Sequence, residues 1–146
     1  MNSASHDDEQ AIQALIAQWS RAVSAADLDA ILACYAEDVE AYDAIGKLRF
    51  QGLEAYGAHW RECMSYCANG MVFEVHEPRV RVDGNLAVSY FPVRCGGENE
   101  QGEEQVGWMR MSSAYQRING QWKIVHEHSS VPFDPMTLKI VEDAAP

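Results

Sequence analysis

Apolar residues recur at helical spacing in the first half of the chain and at strand spacing in the second half. The helical pattern covers residues 12–23, 28–35 and 53–67, where apolar positions three and four apart form one stripe in each segment. Between the second and third segments, Val39, Ala41 and Asp43 alternate on one face of a short strand, and Gly46 permits a turn. The pattern predicts three helices, with a short strand pair inserted before the third.

The last long stretch of strand-forming residues, 108–132, is predicted to fold as a hairpin around Asn119-Gly120, because a tight two-residue turn needs positive φ at both positions. Regular pairing outward from this turn sets Tyr115 opposite Ile124, Ser113 opposite His126, and Met111 opposite His128. Directly opposed residues share a face of the sheet. His126 and His128 are therefore predicted to face the core, and Glu127 to face away from it.

A second hairpin, formed around residues 83–85, completes four long antiparallel strands. Helices followed by such strands are typical of an α+β fold, here three helices packed on one face of a strongly curved, mixed but mainly antiparallel sheet. At 146 residues the chain is expected to be one domain, residues 1–146, and its 47% hydrophobic content is enough for a full core.

Composition excludes some classes of partner. The net charge of −11 argues against binding nucleic acid or an anionic membrane surface, because both need clustered basic residues. The N-terminal residues do not resemble a secretion signal, and no window approaches the roughly 18 apolar residues of a membrane span. Four cysteines without zinc-ribbon spacing are expected to be reduced thiols. Together these features predict a cytoplasmic location.

Asp43 is the leading candidate for a catalytic group. Its phase with Val39 and Ala41 points its carboxylate toward the apolar interior, where it would act as a general base. The alternative is a turn aspartate bonded to its own backbone. His126 and His128 have a similar pair of interpretations, as walls of a pocket or as core histidines bonded to a carbonyl or to Ser113.

Three strings in the sequence resemble one known superfamily. They are AADLDAILACYAEDVEAYD at residues 25–43, QGLEAY at residues 51–56 and INGQWKIVHEHSSVP at residues 118–132. With the order of elements, they resemble the nuclear transport factor 2-like superfamily, a conical fold, and in particular its SnoaL-like and ketosteroid isomerase-like stand-alone domains. The last string is also similar to the association domain of calcium/calmodulin-dependent protein kinase. This fold carries several unrelated functions, so it does not by itself name one.

The resemblance implies roles for named residues. Carried over by position, Asp43 would be the base, and His128, His126 or Tyr115 would donate a hydrogen bond to a developing oxyanion. The residues expected to bind substrate are Trp19, Tyr42, Tyr56, Trp60, Met111 and Ser113. The tyrosine and protonated aspartate of the true ketosteroid isomerases have no match here, so steroid isomerisation is not expected.

A metal or other cofactor is not expected from the sequence. The spacing of His126 and His128 permits a metal site with Asp43, His59 or His76 as a third ligand. Such two-residue patterns are common by chance, however, and members of the superfamily generally work without metal. We therefore predict chemistry carried by side chains alone.

Two functions from different classes are compatible with the sequence. The first is an acid–base isomerase, cyclase or dehydratase acting on a small apolar carbonyl compound. The second is a non-catalytic ligand-binding or homo-oligomeric association module, which becomes the better interpretation if Asp43 lies far from His126 and His128. In either case we expect a homodimer formed through the exposed face of the sheet, which in the closing hairpin would carry Val106, Trp108, Arg110, Val125 and Glu127.

Overall fold

A computed structural model describes residues 3–67, 70–142 and 144–146 of the chain. The helices in this part are α1 (Ser3–Ser24), α2 (Leu28–Leu32) and α3 (Leu53–Ser65). Helix α2 begins after Asp27, whose carboxylate accepts a hydrogen bond of 3.1 Å from the backbone N–H of Ala30. None of these helices combines the length and apolar composition that a membrane-spanning helix needs.

The strands of the described residues form one large sheet and one small hairpin. Those of the large sheet are β1 (Tyr35–Tyr42), β2 (Phe50–Gln51), β3 (Met71–Val75), β4 (Arg79–Asp83), β5 (Leu86–Glu98), β6 (Glu104–Ile118) and β7 (Gln121–Ser130). Their order is β2-β1-β7-β6-β5-β3, and β4 also pairs with β5. Strands β1 and β7 run parallel, and the other pairs are antiparallel. Strands β8 (Phe133–Asp134) and β9 (Lys139–Ile140) form the small hairpin.

Helices α1 and α3 pack against the same face of this curled sheet, which we call the inner face, and the opposite side is the outer face. The main core lies between them and includes Ile12, Trp19 and Val23 of α1. This arrangement confirms the predicted α+β class and the mixed, mainly antiparallel sheet. The predicted second helix is too long, however, because α2 ends at Leu32 and Tyr35 already belongs to β1.

The predicted register of the closing hairpin is correct near its turn and wrong further out. Arg117 pairs with Trp122 and Tyr115 with Ile124, but the next pair is Ala114 with His126. Val125 is therefore an extra residue in β7, a β-bulge that leaves one strand position without a partner. Since side chains alternate between the two faces, the bulge reverses the facing of every later residue of β7.

The burial of the side chains in β7 agrees with this reversal of their facing. Glu127 is 2% exposed and Ser129 is 7% exposed on the inner face, whereas His128 is exposed on the outer face. The prediction that Ser113 opposes His126 and Met111 opposes His128 is wrong, since Ser113 pairs with Glu127 and Met111 with Ser129. The bulge therefore brings a carboxylate, and not an imidazole, into the core.

Candidate functional site

A cavity of about 70 Å³ lies between the inner face of the sheet and helices α1 and α3. Its walls are mostly aromatic and sulfur-containing, and one side carries a cluster of polar groups. The lining residues are Trp19, Asp43, Tyr56, His59, Trp60, Cys63, Phe73, Met109, Met111, Glu127 and Ser129. Small-molecule sites usually have this form, in which a small number of polar groups converge in a mostly apolar cavity.

Asp43 follows directly after β1 and has both carboxylate oxygens engaged. Its Oδ1 accepts hydrogen bonds from the backbone N–H of Ala44 at 2.7 Å and from the Ser129 hydroxyl at 2.8 Å. Its Oδ2 forms a short contact with Nε2 of His59. The hydrogen bond from Ala44 is the backbone contact of the turn aspartate considered from the sequence. The Asp43 side chain also lines the cavity, in agreement with its predicted phase with Val39 and Ala41.

His59 is held in a fixed orientation by its neighbours. Its ring is 9% exposed and stacks on Phe50 with ring centroids 4.0 Å apart. The segment between β1 and β2 also packs closely on the ring, because a Cβ at Gly46 would be 3.2 Å from His59 Cε1. These contacts hold the ring nitrogen Nε2 directed at Asp43, and a fixed geometry of this kind is what general acid–base catalysis requires.

Cys63 is one helical turn from His59, so both side chains leave the same side of α3. Its Sγ is 3.5 Å from His59 Nε2 and 3.9 Å from Nδ1. Burial, with the nearby negative charge of Asp43, raises the pKa of the Cys63 thiol to about 11. The side chain is therefore a thiol at neutral pH, which does not favour it as a nucleophile.

Glu127 is at the centre of a buried network of hydroxyl groups. The Tyr35 hydroxyl donates to its Oε2 at 2.8 Å, and Tyr56 makes a short hydrogen bond to the same oxygen. Trp19 Nε1 in turn donates to the Tyr35 hydroxyl at 2.9 Å. Burial is the main cause that raises the pKa of both tyrosines well above its usual value, so they remain protonated donors.

The same burial raises the pKa of Glu127 to about 7. The tyrosine hydrogen bonds stabilise the charged carboxylate and oppose this shift, while the negative charge of Asp43 adds to it. Desolvation is the largest of these effects, so the raised value is the net result. Near neutral pH Glu127 can therefore hold or release a proton, which general acid–base catalysis requires.

Some of the predicted site residues do line the cavity. Asp43, Trp19, Tyr56, Trp60 and Met111 all contribute to its walls. Their positions follow from the apolar stripes of α1 and α3 and from the alternation of side chains along β1 and β6. The inward-facing side of each of these elements was predicted correctly. The periodicity of the sequence therefore predicted the inward facing of these five side chains.

Three other predicted residues lie on the outer face instead. Tyr42 packs against His126 and His128, with ring centroids 4.8 Å and 5.7 Å away. His126 Nδ1 is 2.6 Å from the carbonyl oxygen of Glu40, to which it can donate a hydrogen bond. The bulge at Val125 explains the two histidines, and strand alternation places Tyr42 opposite in facing to Ala41. The structure does not bring these three residues together with Asp43.

Tyr115 and Ser113 face inward but lie in closed core. The Tyr115 hydroxyl is 2.8 Å from the Ser89 hydroxyl, and burial raises the pKa of Tyr115. Both residues are at most 6% exposed, and neither lines the cavity that contains Asp43. Tyr115 is therefore placed as a structural hydrogen-bonding group of the core.

Three polar residues of the cavity were not among the predicted catalytic residues. His59 had a usable signal, because it is three residues after Tyr56 and four before Cys63 on the apolar stripe of α3. Glu127 and Ser129 had none, since their inward facing depends on the bulge at Val125. Alternation alone places both on the outer face.

Several solved structures share this fold. A nuclear transport factor 2-like protein of unknown function from Pseudomonas putida KT2440 is 43% identical, with a TM-score of 0.90 over 97% of this chain and 99% of that one. A candidate dehydratase of the same family from Streptomyces avermitilis is 13% identical, with a TM-score of 0.76 over 86% and 97% of the two chains. A candidate association domain of calcium/calmodulin-dependent protein kinase II from Xanthomonas campestris is 18% identical, with a TM-score of 0.72 over 82% and 84%.

The two more distant similarities concern the fold alone, whereas the Pseudomonas protein is similar in sequence as well. None of the curated proteins compared with this chain matches it. The model of the SnoaL-like domain family matches residues 12–134, which include α1 from Ile12 onward, all of α3 and all seven strands of the large sheet. The chain therefore belongs to the SnoaL-like domain family, within the nuclear transport factor 2-like superfamily.

Proposed function

We propose that this protein is a small acid–base enzyme, an isomerase, cyclase or dehydratase, that acts on an apolar carbonyl compound held in the cavity. The observation that carries this proposal is that two sets of acid–base side chains line one aromatic cavity. They are the hydrogen-bonded pair of Asp43 and His59, and Glu127, with its pKa of about 7. A structural core has no need of two such groups, because each is costly to bury.

The separation of Asp43 from His126 and His128 by itself favours the binding module. The enzyme is supported instead by His59 of α3 and Glu127 of β7, which line the same cavity as Asp43. Asp43, oriented by Ser129, Ala44 and His59, takes a proton from the carbon beside the carbonyl group and becomes neutral. The C–H electron pair moves to the carbonyl oxygen, which becomes an enolate.

The enolate oxygen then needs a donor. Glu127 in its protonated form supplies one, and a single preorganised hydrogen bond of this kind contributes about 3 kcal/mol to catalysis. Return of the proton from Asp43 to a different carbon gives an isomer. Transfer of the same proton to a hydroxyl group on the neighbouring carbon lets that group leave as water, while the enolate electrons form the new C=C bond of the dehydrated product. Isomerisation and dehydration both use Asp43 and Glu127. The cavity therefore supports this class of reactions more strongly than any one reaction.

Trp60 adds a reason to expect oxygen in the ligand. Its Nε1 is buried without a hydrogen-bond partner of good geometry, although it is close enough to the Tyr35 hydroxyl to help lower the pKa of that group. Buried N–H groups are nearly always paired. A ligand oxygen in the cavity would supply the missing acceptor beside Trp60.

The size of the cavity limits the substrate. A volume of about 70 Å³ is well below the roughly 300 Å³ of a typical small-molecule pocket. Only the reacting end of a ligand fits inside it.

Deuterium exchange tests the proposed reaction class before the substrate is known. The protein is incubated in heavy water with a panel of small cyclic and linear enones and β-hydroxy ketones, and each compound is then analysed by mass spectrometry. We expect protein-dependent deuterium uptake beside the carbonyl group of at least one structural class, since proton removal precedes both isomerisation and dehydration. Tight binding of panel members without any exchange would favour the non-catalytic module.

A specific surface feature supports homodimer formation as a second property. Leu86, Val88 and Tyr90 alternate along β5 on the outer face and are 59%, 45% and 38% exposed. They form a continuous apolar stripe on the face that the helices leave uncovered. Stripes of this kind are typical of subunit interfaces. Glu127, which was expected on this face, is not part of it.

We expect the protein to be a dimer by light scattering at micromolar concentration, and Val88→Glu to shift it toward the monomer, because the substitution places a charge in the stripe. Leu48→Glu is the matched control, since Leu48 is 92% exposed and lies outside the sheet. A monomeric unsubstituted protein, or a Val88→Glu variant that remains dimeric, would reject this interface.

A further inference from the structure

We propose that Asp43, His59 and Cys63 form a binding site for a single divalent transition-metal ion of the zinc or cobalt type. The three residues offer one oxygen, one nitrogen and one sulfur ligand, and these atoms all lie within 4.8 Å of one another. Mixed ligand sets of this kind suit zinc and cobalt better than magnesium or calcium, which prefer oxygen alone. This inference goes beyond the proposed acid–base function, because it concerns a metal ion bound by residues of the cavity wall and not a carbonyl compound.

The spacing of two ligands on α3 already fits a metal. His59 and Cys63 are four residues apart on one side of the helix, and their Nε2 and Sγ atoms are 3.5 Å apart. A tetrahedral ion with metal–sulfur and metal–nitrogen bonds of ~2.3 and ~2.1 Å requires a separation of about 3.6 Å. Sγ is also 3.9 Å from Nδ1, so it lies beside the ring, and rotation of the two side chains is needed to bring it in front of the Nε2 lone pair at this separation.

Asp43 supplies the third ligand through Oδ2. In the absence of metal this oxygen shares a proton with His59 Nε2, so the two atoms are closer together than two ligands of one ion. Tetrahedral coordination requires about 3.4 Å between them, which small side-chain rotations provide. The ion takes the place of that proton and of the proton on the Cys63 thiol, and both protons are released to water.

The surroundings orient the ligands. Ser129 and the backbone of Ala44 hold Asp43 Oδ1, which leaves Oδ2 directed at His59. Phe50 stacks against the His59 ring and fixes its plane. Outer contacts of this kind commonly raise metal affinity by about 10- to 100-fold.

The fourth coordination position faces the cavity. Asp43, His59 and Cys63 all line it, and its volume of about 70 Å³ has room for a bound water beside the ion. Three protein ligands with one open position is the arrangement of catalytic rather than structural zinc sites. The sequence offers His126 and His128 as the first two ligands of a metal site, whereas the ligand set proposed here combines Asp43 with His59 and Cys63.

Cobalt titration of the metal-stripped protein tests the site without any carbonyl compound, so its result is independent of the proposed enzymatic function. We expect one Co²⁺ per chain, visible-region absorption typical of tetrahedral cobalt, and the near-ultraviolet charge-transfer band of a cobalt-bound thiolate. Cys63→Ser should remove this band and weaken binding by about 10-fold or more. His59→Gln should weaken binding to a similar extent.

Cys67→Ser is the matched control, because Cys67 lies four residues beyond Cys63 but its thiol contacts the carbonyl of Gly96. It should keep both the band and the affinity. Absence of a thiolate band in the unsubstituted protein overturns the site, whatever the variants do. A band that survives Cys63→Ser, or that disappears in Cys67→Ser, assigns the cobalt to another thiol and also overturns it.

Discussion

Replacing Asp43 with asparagine is expected to lower the rate of carbonyl-dependent deuterium exchange by about 10² or more. Asparagine has nearly the same size but cannot accept a proton. Its amide oxygen can still accept the hydrogen bonds from Ser129 and Ala44, while its NH₂ group would face His59 Nε2. That contact forces the ring to carry its proton on Nδ1, so the variant loses both the base and the correct form of its partner.

The variant should remain folded, because the Asp43 side chain is 19% exposed and most of its hydrogen bonds can be kept. We expect its free energy of unfolding to change by no more than about 1 kcal/mol. Asp38→Asn is the matched control, since Asp38 is an exposed residue of the same strand. All assays should include a chelator, so that loss of a proton acceptor is separated from loss of a metal ligand. Full exchange activity in Asp43→Asn would remove Asp43 from the mechanism.

The deuterium-exchange assay also compares His128, the histidine chosen from the sequence, with His59, the histidine chosen from the structure. His59→Gln should reduce exchange, because His59 is bonded to Asp43 and lines the cavity. His128→Ala should leave both exchange and stability almost unchanged, since His128 is exposed on the outer face. The opposite pattern would mean that the outer-face histidines act on the substrate.

Hydrophobic periodicity was sufficient to predict most of the fold. The stripes of α1 and α3 and the phase of Val39, Ala41 and Asp43 each survive in the structure, because each depends only on the regular repeat of one element. The tight turn at Asn119-Gly120 is also confirmed, with φ of 51° and 79° at its two residues. The cavity walls contributed by these elements were therefore predictable.

The polar half of the site was not predictable in the same way. One extra residue at Val125 changes which face Glu127, His128 and Ser129 occupy. No glycine or proline near this position marks a bulge in the sequence. Its position is set by tertiary pairing, because β7 must pair with β6 on one side and run parallel to β1 on the other. Period-two reasoning is reliable only up to the first such irregularity.

Glu127 is the residue for which this irregularity has the largest measurable consequence. Its folded-state pKa of about 7 lies above the ordinary value of 4.5 that it has in an unfolded chain. Between these values the folded protein binds the extra proton, so the free energy of unfolding falls as pH rises and changes no further above the folded-state pKa. For this one group the total loss is about 3 kcal/mol.

Glu127→Gln removes this dependence, because the amide is neutral at every pH in the range. The groups that face Glu127, namely Tyr35, Tyr56 and Asp43, are present in both proteins. The stability of the unsubstituted protein relative to the variant should therefore fall by about 3 kcal/mol between about pH 4 and about pH 8. Denaturant unfolding at several pH values measures this difference. Glu54→Gln, which removes an exposed carboxylate from α3, should show no comparable trend.

The rate of deuterium exchange should depend on the same Glu127 proton. If protonated Glu127 donates to the enolate oxygen, exchange by the unsubstituted protein should decline above about pH 7 as this proton is lost. Glu127→Gln should lack this decline, since its amide N–H remains a donor at all pH values, although at a lower overall rate. A stability difference that changes with pH while exchange does not would restrict Glu127 to a structural role and leave Tyr56 as the nearest remaining donor. A stability difference independent of pH would mean that Glu127 stays charged in the folded protein, and the proposed donor would then be wrong.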